Sequence, residues 1–105
     1  MGSKSQRKGA AGERELAALL SAAGYECQRG GSLSFGEIPD VLGLPGIHIE
    51  VKRAERLNVQ EAMEQAIRDS DRMLDGMPAL FHRRNRKPWL VTMRLEDWLK
   101  LYGSR

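Results

Sequence analysis

The sequence predicts an α/β domain in which a mixed β-sheet is flanked by helices. Two observations predict this class: short apolar runs bounded by turn residues read as five strands, and amphipathic stretches read as three helices. Their order is α-β-β-β-α-β-β-α, and a long helix that interrupts a set of strands is typical of a mixed sheet with helices packed on it. At 105 residues, the chain has room for one small domain with a single thin core.

The first half of the chain contains the first helix and three strands. Residues 8–23 carry leucines and alanines at the i, i+3, i+4, i+7 spacing of an apolar helix face, and Gly24 ends the pattern. Gly9 and Gly12 lie at the centre of that face, where they allow the backbone to approach the sheet closely. Residues 25–29, 40–44 and 47–51 are predicted strands, the last two joined around Pro45 and Gly46.

The second half contains a long helix, two strands and a short helix. Asn58 is a predicted N-cap, with Glu61 three residues later to complete a capping box. Strands are predicted at 79–83 and 89–93, and a last helix at 95–102 is expected to bring Trp98, Leu99 and Tyr102 back onto the body. The aromatic residues Trp89, Trp98 and Tyr102 are expected to fill either the core or a dimer interface.

Composition excludes several classes of protein. Hydrophobic residues make up 41% and charged residues 30% of the chain, which is a globular rather than a disordered composition. The single cysteine excludes an internal disulfide and fits a reducing compartment. No apolar run approaches the ~18 residues that a membrane-spanning helix needs, and residues 1–9 lack the hydrophobic stretch of a signal peptide. We expect a cytoplasmic protein without a membrane segment, with a flexible basic arm at 1–7 and one domain at 8–105.

The predicted strand at 47–51 places charged side chains on one face of the sheet. Because side chains alternate along a strand, Ile47, Ile49 and Val51 point toward a core, and His48, Glu50 and Lys52 point the other way. The position of Asp40 then depends on the hairpin loop. A three-residue loop, Leu44 to Gly46, pairs Asp40 with Glu50 on one face with their Cβ atoms about 4.5–5.5 Å apart. A two-residue loop turns Asp40 to the opposite face.

We favour the three-residue loop because such loops commonly place glycine at their last, left-handed position, as Gly46 would be. Two adjacent carboxylates repel unless a cation or a proton lies between them. Their hard oxygen atoms suit Mg²⁺, with Mn²⁺ as a substitute, and Lys52 could orient a water molecule or stabilise charge on phosphorus. If Asp40 and Glu50 do not meet, Glu50 and Lys52 are an ordinary surface pair.

The first helix offers a candidate for a third carboxylate. Glu13 lies about 60° from the centre of the apolar face and Glu15 about 95° away, so Glu13 is better placed to point inward. Glu13 could also be an ordinary acidic residue favoured in the first turn of a helix. The net charge is +3, with basic clusters at 4–8 and at 83–87 that either contact phosphates or form solvated loops. His82 beside the second cluster is a phosphate contact or a surface residue.

Four motifs in order, KGAAGERE, GYECQRGGS, PDV and IEVKR, resemble the PD-(D/E)xK nuclease superfamily, and in particular small archaeal-type Holliday junction resolvases and phage-encoded relatives. The resemblance covers residues 8–93 and implies a restriction-endonuclease-like sheet. It implies that Glu13, Asp40 and Glu50 bind the metal ion together with the main-chain carbonyl of Val51, and that Lys52 is the catalytic lysine. It further implies a helix glutamine, for which Gln65 is preferred over Gln60.

The resemblance and the basic clusters together suggest the residues that contact DNA. These are Lys8, Arg14, Arg29, Ser32, Arg53, Arg83, Arg84, Arg86 and Lys87. The expected function is a Mg²⁺-dependent endonuclease that cuts branched DNA as a homodimer. A nuclease for nicked, flapped or plain duplex DNA, and a DNA-binding module that has lost activity, remain alternatives. The C-terminal part, from His82 to Leu99, is more similar to the phage nucleases, which leaves the DNA substrate open.

Overall fold

A computed structural model describes the backbone of residues 2–30 and 39–104, and within these ranges the side chains from residue 9 onward. The predicted order of elements is confirmed. The elements are α1 (Gly2–Ala22), β1 (Gln28–Arg29), β2 (Val41–Leu42), β3 (Ile47–Arg53), α2 (Val59–Met73), β4 (Met77–Arg83), β5 (Leu90–Met93) and α3 (Leu95–Gly103). None of the helices in these described ranges is both long and apolar enough to span a bilayer.

The five strands form one mixed sheet in the order β1-β2-β3-β4-β5. Strands β3 and β4 are parallel and are connected by the crossover helix α2, whereas every other neighbouring pair is antiparallel. The predicted mixed sheet is therefore confirmed. Strand β1 is shorter than the predicted 25–29 because it pairs only with the two residues of β2.

The first helix begins earlier than predicted. No proline interrupts its first turns, and α1 runs from Gly2 through the backbone of residues 2–7, the segment expected to be a flexible arm. Of the two glycines expected to allow close approach, only Gly12 does so. A Cβ atom built on Gly12 would lie 3.0 Å from the Cβ of Arg53, whereas one on Gly9 would meet nothing within 4 Å.

Two apolar clusters lie on opposite faces of the sheet. Helix α1 covers the face that carries Ile49 and Val51, as the alternation predicts. Helix α2 covers the other face, where Leu80 of β4 lies beside Glu50 in the parallel pair. This helix begins at the predicted cap, where the Asn58 side chain accepts a hydrogen bond from the Glu61 backbone N–H at 3.0 Å. His48 and Glu50 of β3 are thus buried on the face that α2 covers and do not lie on an open surface.

The expected packing of α3 is wrong. Trp98, Leu99 and Tyr102 are each about half exposed, and the buried residue of this helix is Asp97, which accepts a hydrogen bond from Arg94 at 2.9 Å. At 100° per residue, Leu99 and Tyr102 fall on the side of the helix opposite Asp97. Because the Asp97 side faces the body, the apolar side faces solvent.

Candidate active site

The hairpin between β2 and β3 has the favoured three-residue loop. Val41 pairs with Ile49, and continuing this antiparallel register by one residue places Asp40 opposite Glu50. Gly46 closes the loop with a left-handed backbone, φ 79°. The Asp40 carboxylate accepts a hydrogen bond from the Val51 backbone N–H at 2.8 Å, which fixes it against β3. The two acidic residues therefore share one face, as predicted.

Glu50 stands between two cationic or polar neighbours on its own strand. Its side chain is buried, with Oε1 3.7 Å from His48 Nε2 and Oε2 3.9 Å from Lys52 Nζ. The Lys52 side chain is about one-third exposed, so its ammonium group lies at the edge of the site. The carboxylate of Glu50 is thus directed by a partner at each oxygen atom.

Asp40, Glu50 and Lys52 line a single cleft of about 590 Å³. All five residues predicted to be catalytic contribute to its wall: Glu13, Asp40, Glu50, Lys52 and Gln65. Val51, whose carbonyl is the expected fourth metal ligand, lines it as well. Gln60, the alternative glutamine, is exposed and donates a hydrogen bond to Glu64 at 3.3 Å instead. The structure therefore brings the predicted set together around one space; their catalytic roles stay predictions.

The two glutamates of α1 point to different partners. Glu13 lies in the cleft and accepts a hydrogen bond from Arg29 Nε at 2.9 Å. Glu15 accepts hydrogen bonds from Arg83 and from Trp89 Nε1, the latter at 2.8 Å, and lies 3.5 Å from Arg53 Nη1. Partial burial opposes ionisation of Glu15, but the bonds from Arg83 and Trp89 and the nearby guanidinium charges lower its pKa below the ordinary value.

The role of Glu15 as a link between α1, β3 and the end of the sheet is not visible in the sequence. Its position at the margin of the apolar face indicated only that it points inward less than Glu13. The arginines that it binds come from β3 and β4, and only the three-dimensional fold brings them next to the helix.

Asp40 is partly buried, close to two other acidic residues. Burial and the negative charges of Glu50 and Glu13 raise the pKa of Asp40 to about 7, against the opposing effects of the Val51 N–H and the Lys52 charge. A carboxylate with this pKa is partly protonated at neutral pH in the metal-free protein. A cation bound between Asp40 and Glu50 would be stabilising, because it would let both carboxyl groups ionise.

His48, which the sequence left without a role, is fully buried beneath α2. Its Nδ1 lies 3.0 and 2.8 Å from the two carboxylate oxygens of Asp75, and its Nε2 faces Glu50. Burial opposes a charge on the ring, but Glu50 and Asp75 together raise the pKa of His48 above its ordinary value. The alternation of β3 could have indicated that His48 shares the face of Glu50, but Asp75 lies 27 residues later in the chain.

The chemistry of the donor atoms fits a divalent metal ion. Asp40 and Glu50 supply carboxylate oxygens at the cleft, and Glu13 adds a third. Among the residues whose side chains the structure describes, one set of three ligating groups converges within 4.8 Å, namely His48, Glu50 and Asp69. Neither Asp40 nor Glu13 belongs to that set, so the predicted ligands of the cleft share only Glu50 with it. The Glu13 carboxylate instead pairs with Arg29.

The predicted DNA-contacting residues fall into three groups. Arg53 lines the cleft, and Arg29 reaches it through its contact with Glu13. Arg83 is occupied by Glu15 and by the main-chain oxygen of Lys87. The others are exposed or lie outside the described side chains. Arg14, Arg84, Arg86 and Lys87 are exposed, whereas the side chain of Lys8 and the whole of Ser32 lie outside the described part of the chain.

The sequence suggested that His82 is either a phosphate contact or a surface residue, and the structure gives it a further contact. Its Nε2 lies 2.8 Å from the hydroxyl of Thr92, and partial burial lowers its pKa. The ring lines a groove of about 370 Å³ together with Arg84 and Lys87. Its hydrogen bond to β5 therefore makes it at least partly structural.

Comparison with solved structures finds nine chains with significant similarity. One is the 1.6 Å structure of Hjc from Archaeoglobus fulgidus, a Holliday junction resolvase from an archaeal hyperthermophile. It superposes with a TM-score of 0.59 at 23% sequence identity, covering 82% of this chain and 72% of that one. The similarity establishes that the two share the restriction-endonuclease-like fold.

Sequence comparison gives two further results. A search against curated proteins finds no significant match. A model of the family described as "Phage putative PDDEXK endonuclease" matches residues 4–104, nearly the whole chain. The protein therefore belongs to this family of PD-(D/E)xK nucleases.

Proposed function

We propose that this nuclease is a Mg²⁺-dependent endonuclease that cuts branched DNA as a homodimer. The observation that carries the proposal is the position of Asp40 opposite Glu50, with Lys52 on the same face of β3 and one cleft in front of all three. We propose a cytoplasmic location, where a DNA substrate would be available.

Asp40, Glu50 and Glu13 are proposed to hold the ion together with the main-chain carbonyl of Val51. The fit to a cation is supported by the raised pKa of Asp40, which reflects burial of the carboxyl group and, after it, the negative charges of Glu50 and Glu13. A bound divalent ion would polarise a phosphate oxygen and lower the pKa of a water molecule. Arg29 contacts Oε1 of Glu13, so we propose that Glu13 joins the ligands through Oε2 and keeps its contact with Arg29.

Lys52 is proposed to stabilise negative charge that develops on the phosphate during hydrolysis. Its ammonium group is held near Glu50 Oε2, and its partial exposure leaves it accessible to a substrate in the cleft. Gln65 reaches the same cleft from α2, where its amide could orient a water molecule or a phosphate oxygen. These two residues act on the substrate and not as metal ligands.

Basic residues around the cleft are proposed to grip the DNA backbone. Arg53 and Arg29 lie at the site, and the exposed Arg84, Arg86 and Lys87 extend from the turn between β4 and β5. Lys8, Arg14 and Ser32 are retained as proposed contacts, and Arg83 as a contact that also supports Glu15. Contacts of this kind recognise phosphates and not bases, so affinity should fall steeply with salt concentration.

The homodimer is proposed to form through β5 and α3. Strand β5 lies at the edge of the sheet, and the adjoining surface exposes Leu90, Val91, Leu95, Trp98, Leu99 and Tyr102. The rings of Trp98 and Tyr102 stack with their centroids 5.0 Å apart, which makes a flat apolar platform. A second copy is the occupant we favour, because symmetric cutting of two opposed strands needs two copies of the cleft.

The activity is tested by cleavage of a four-way junction in Mg²⁺, with nicked, flapped and plain duplex DNA as competing substrates. Wild type should cut the junction most efficiently, and Asp40→Ala and Lys52→Ala should each reduce the rate by about 100-fold or more. Equal cutting by the variants would show that the site is elsewhere. DNA binding without cutting by wild type in Mg²⁺ or Mn²⁺ would instead identify an inactive DNA-binding module.

The dimer is tested by sedimentation of Leu99→Glu beside the matched control Lys100→Glu, which changes the neighbouring exposed residue of α3. We expect Leu99→Glu to sediment as a monomer and Lys100→Glu as a dimer, because only Leu99 lies on the apolar side. Identical sedimentation of both variants and wild type would exclude this surface as the interface.

A further inference from the structure

A second set of potential metal ligands lies behind the cleft, between β3 and α2. One ligand atom each from His48, Glu50 and Asp69 lies within 4.8 Å of the other two. His48 and Glu50 belong to β3 and are buried, whereas Asp69 belongs to α2 and is half-buried, with Oδ1 3.2 Å from Arg72. Ions that bind three protein side chains need this kind of convergence from separate elements.

The His48 ring is oriented as a metal-binding histidine. Both oxygens of Asp75 face Nδ1, so the carboxylate can accept a hydrogen bond from Nδ1–H, which leaves the lone pair of the neutral ring on Nε2. Nε2 is fully buried and has no hydrogen-bond partner among the described residues. A carboxylate behind one ring nitrogen, with the other directed at acidic groups, is the usual arrangement around histidine ligands.

Glu50 can serve both sites because its two oxygens face different directions. Oε1 faces His48 at 3.7 Å, and Oε2 faces Lys52 at the cleft at 3.9 Å. A carboxylate that is directed in this way can bridge two cations. The cleft offers oxygen ligands alone, whereas the inner set adds an imidazole nitrogen, which favours first-row transition metals over Mg²⁺.

We propose that His48 Nε2, Glu50 Oε1 and Asp69 form a second metal site that binds a first-row transition-metal ion such as Mn²⁺ or Zn²⁺. This inference rests on the proposed function in that Glu50 is shared with the cleft ion. The inner ion would tie α2 to β3 and would fix the Glu50 carboxylate in the direction that the cleft needs. A proton on His48, bridging Asp75 and Glu50, is the competing occupant.

The experiment counts Mn²⁺ ions by calorimetry and electron paramagnetic resonance at pH 8. Mn²⁺ is the probe because Cys27 offers Zn²⁺ a competing thiolate ligand. Wild type should bind two ions, and Asp40→Asn, which loses the cleft ion, should still bind one. In that background Asp69→Ala should weaken Mn²⁺ binding by about 10-fold or more, and Asp75→Asn by about 10- to 100-fold.

The matched control is Asp71→Ala, an exposed acidic residue on the same helix that does not belong to the inner set. It should bind Mn²⁺ as its parent does, and Mn²⁺ should raise the thermal midpoint of the parent and of this control but not of Asp69→Ala. Thermal unfolding in EDTA shows that each variant is folded before metal is added.

The inference is overturned if Asp40→Asn binds no Mn²⁺, or if Asp69→Ala binds it as well as Asp71→Ala. Either result would assign His48 to a proton bridge and not to a metal. Failure of the proposed function would look different: Asp40→Asn would then cut DNA at the wild-type rate, whatever the number of ions bound at the inner set.

Discussion

The two faces of strand β3 are covered by different helices and have very different surroundings. On the α1 face, Ile49 and Val51 pack against Leu16, Ala17 and Phe81, and every one of these side chains is apolar. On the α2 face, Glu50 and His48 are also buried but carry a carboxylate and an imidazole, and Glu50 lies beside Leu80 of β4. Alternate residues of one strand therefore form an apolar core on one face and a cluster of ionisable groups on the other.

The difference shows how a chain of 105 residues can hold both a core and a reactive site. Apolar burial on the α1 face stabilises the fold, because each buried aliphatic side chain contributes about 1.5–3 kcal/mol. The α2 face buries carboxylates at a cost, which ion pairs, hydrogen bonds or a bound cation must offset. The proposed active site thus lies on the face that stabilises the protein less.

The largest expected effects on stability and on cleavage come from separate substitutions of two adjacent residues of β3 that point to opposite faces. Ile49→Ala removes a side chain with no exposure and should destabilise the protein by about 3–4 kcal/mol while folded molecules still bind metal. Glu50→Gln should leave stability within about 1 kcal/mol of wild type because it also removes repulsion from Asp40, but it should reduce cleavage by about 100-fold or more. Urea unfolding in EDTA and a junction cleavage assay measure the two quantities.

A reversal of this pattern would break the comparison. If Glu50→Gln unfolded as readily as Ile49→Ala, the α2 face would be a second stabilising core and the carboxylate a structural group. If Ile49→Ala lost metal binding in its folded fraction, the two faces would not be separable.

A smaller effect concerns pH. Because the pKa of Asp40 is raised to about 7 in the metal-free fold from 3.8, the folded state holds a proton that the unfolded chain releases. Stability should therefore fall as pH rises from about 4 to 7 and then level off. The groups that face Asp40 are Glu50, Glu13 and Lys52, and the first two oppose its ionisation.

Asp40→Asn should remove most of this slope and be more stable than wild type by about 1–3 kcal/mol at pH 8 in EDTA. The Asn side-chain oxygen can still accept the Val51 hydrogen bond, so the hairpin is kept. Denaturant unfolding of both proteins at pH 5 and pH 8 measures the difference. If stability changed equally with pH in the two proteins, ionisation of Asp40 would not be the cause of the pH dependence.

The parts of this structure that follow from local rules were predictable from the sequence. The Asn58 cap, the alternation of β3 and the loop ending at Gly46 depend on residues close in the chain, and each is confirmed. The position of Asp40 opposite Glu50 follows from that loop length alone. The central pair of the site was therefore predictable because a short hairpin connects its two strands.

The parts that depend on distant contacts were not. Asp75 reaches His48 across 27 residues, and Glu15 reaches Trp89 across 74. The orientation of α3 failed for a related reason: its apolar side is real, but a buried Asp97 turns that side outward, and the sequence of an isolated helix cannot show which side meets the body. The amphipathic pattern of α3 identified its apolar side but not which part of the protein, or of a partner, that side contacts.

The smallest expected effect tests the α1 face at its closest approach to β3. Gly12→Ala places a Cβ atom 3.0 Å from the Cβ of Arg53, so α1 has to move outward, and we expect a loss of about 1–2 kcal/mol. Gly9→Ala lies one turn earlier in the same helix and meets nothing within 4 Å, so it should gain about 0.5–1 kcal/mol from helix propensity. Opposite signs in urea unfolding would show that α1 is seated on β3 at Gly12. If both variants were more stable than wild type, α1 could move away from β3 at no cost in stability. The packing of α1 on β3 at Arg53 would then not be tight.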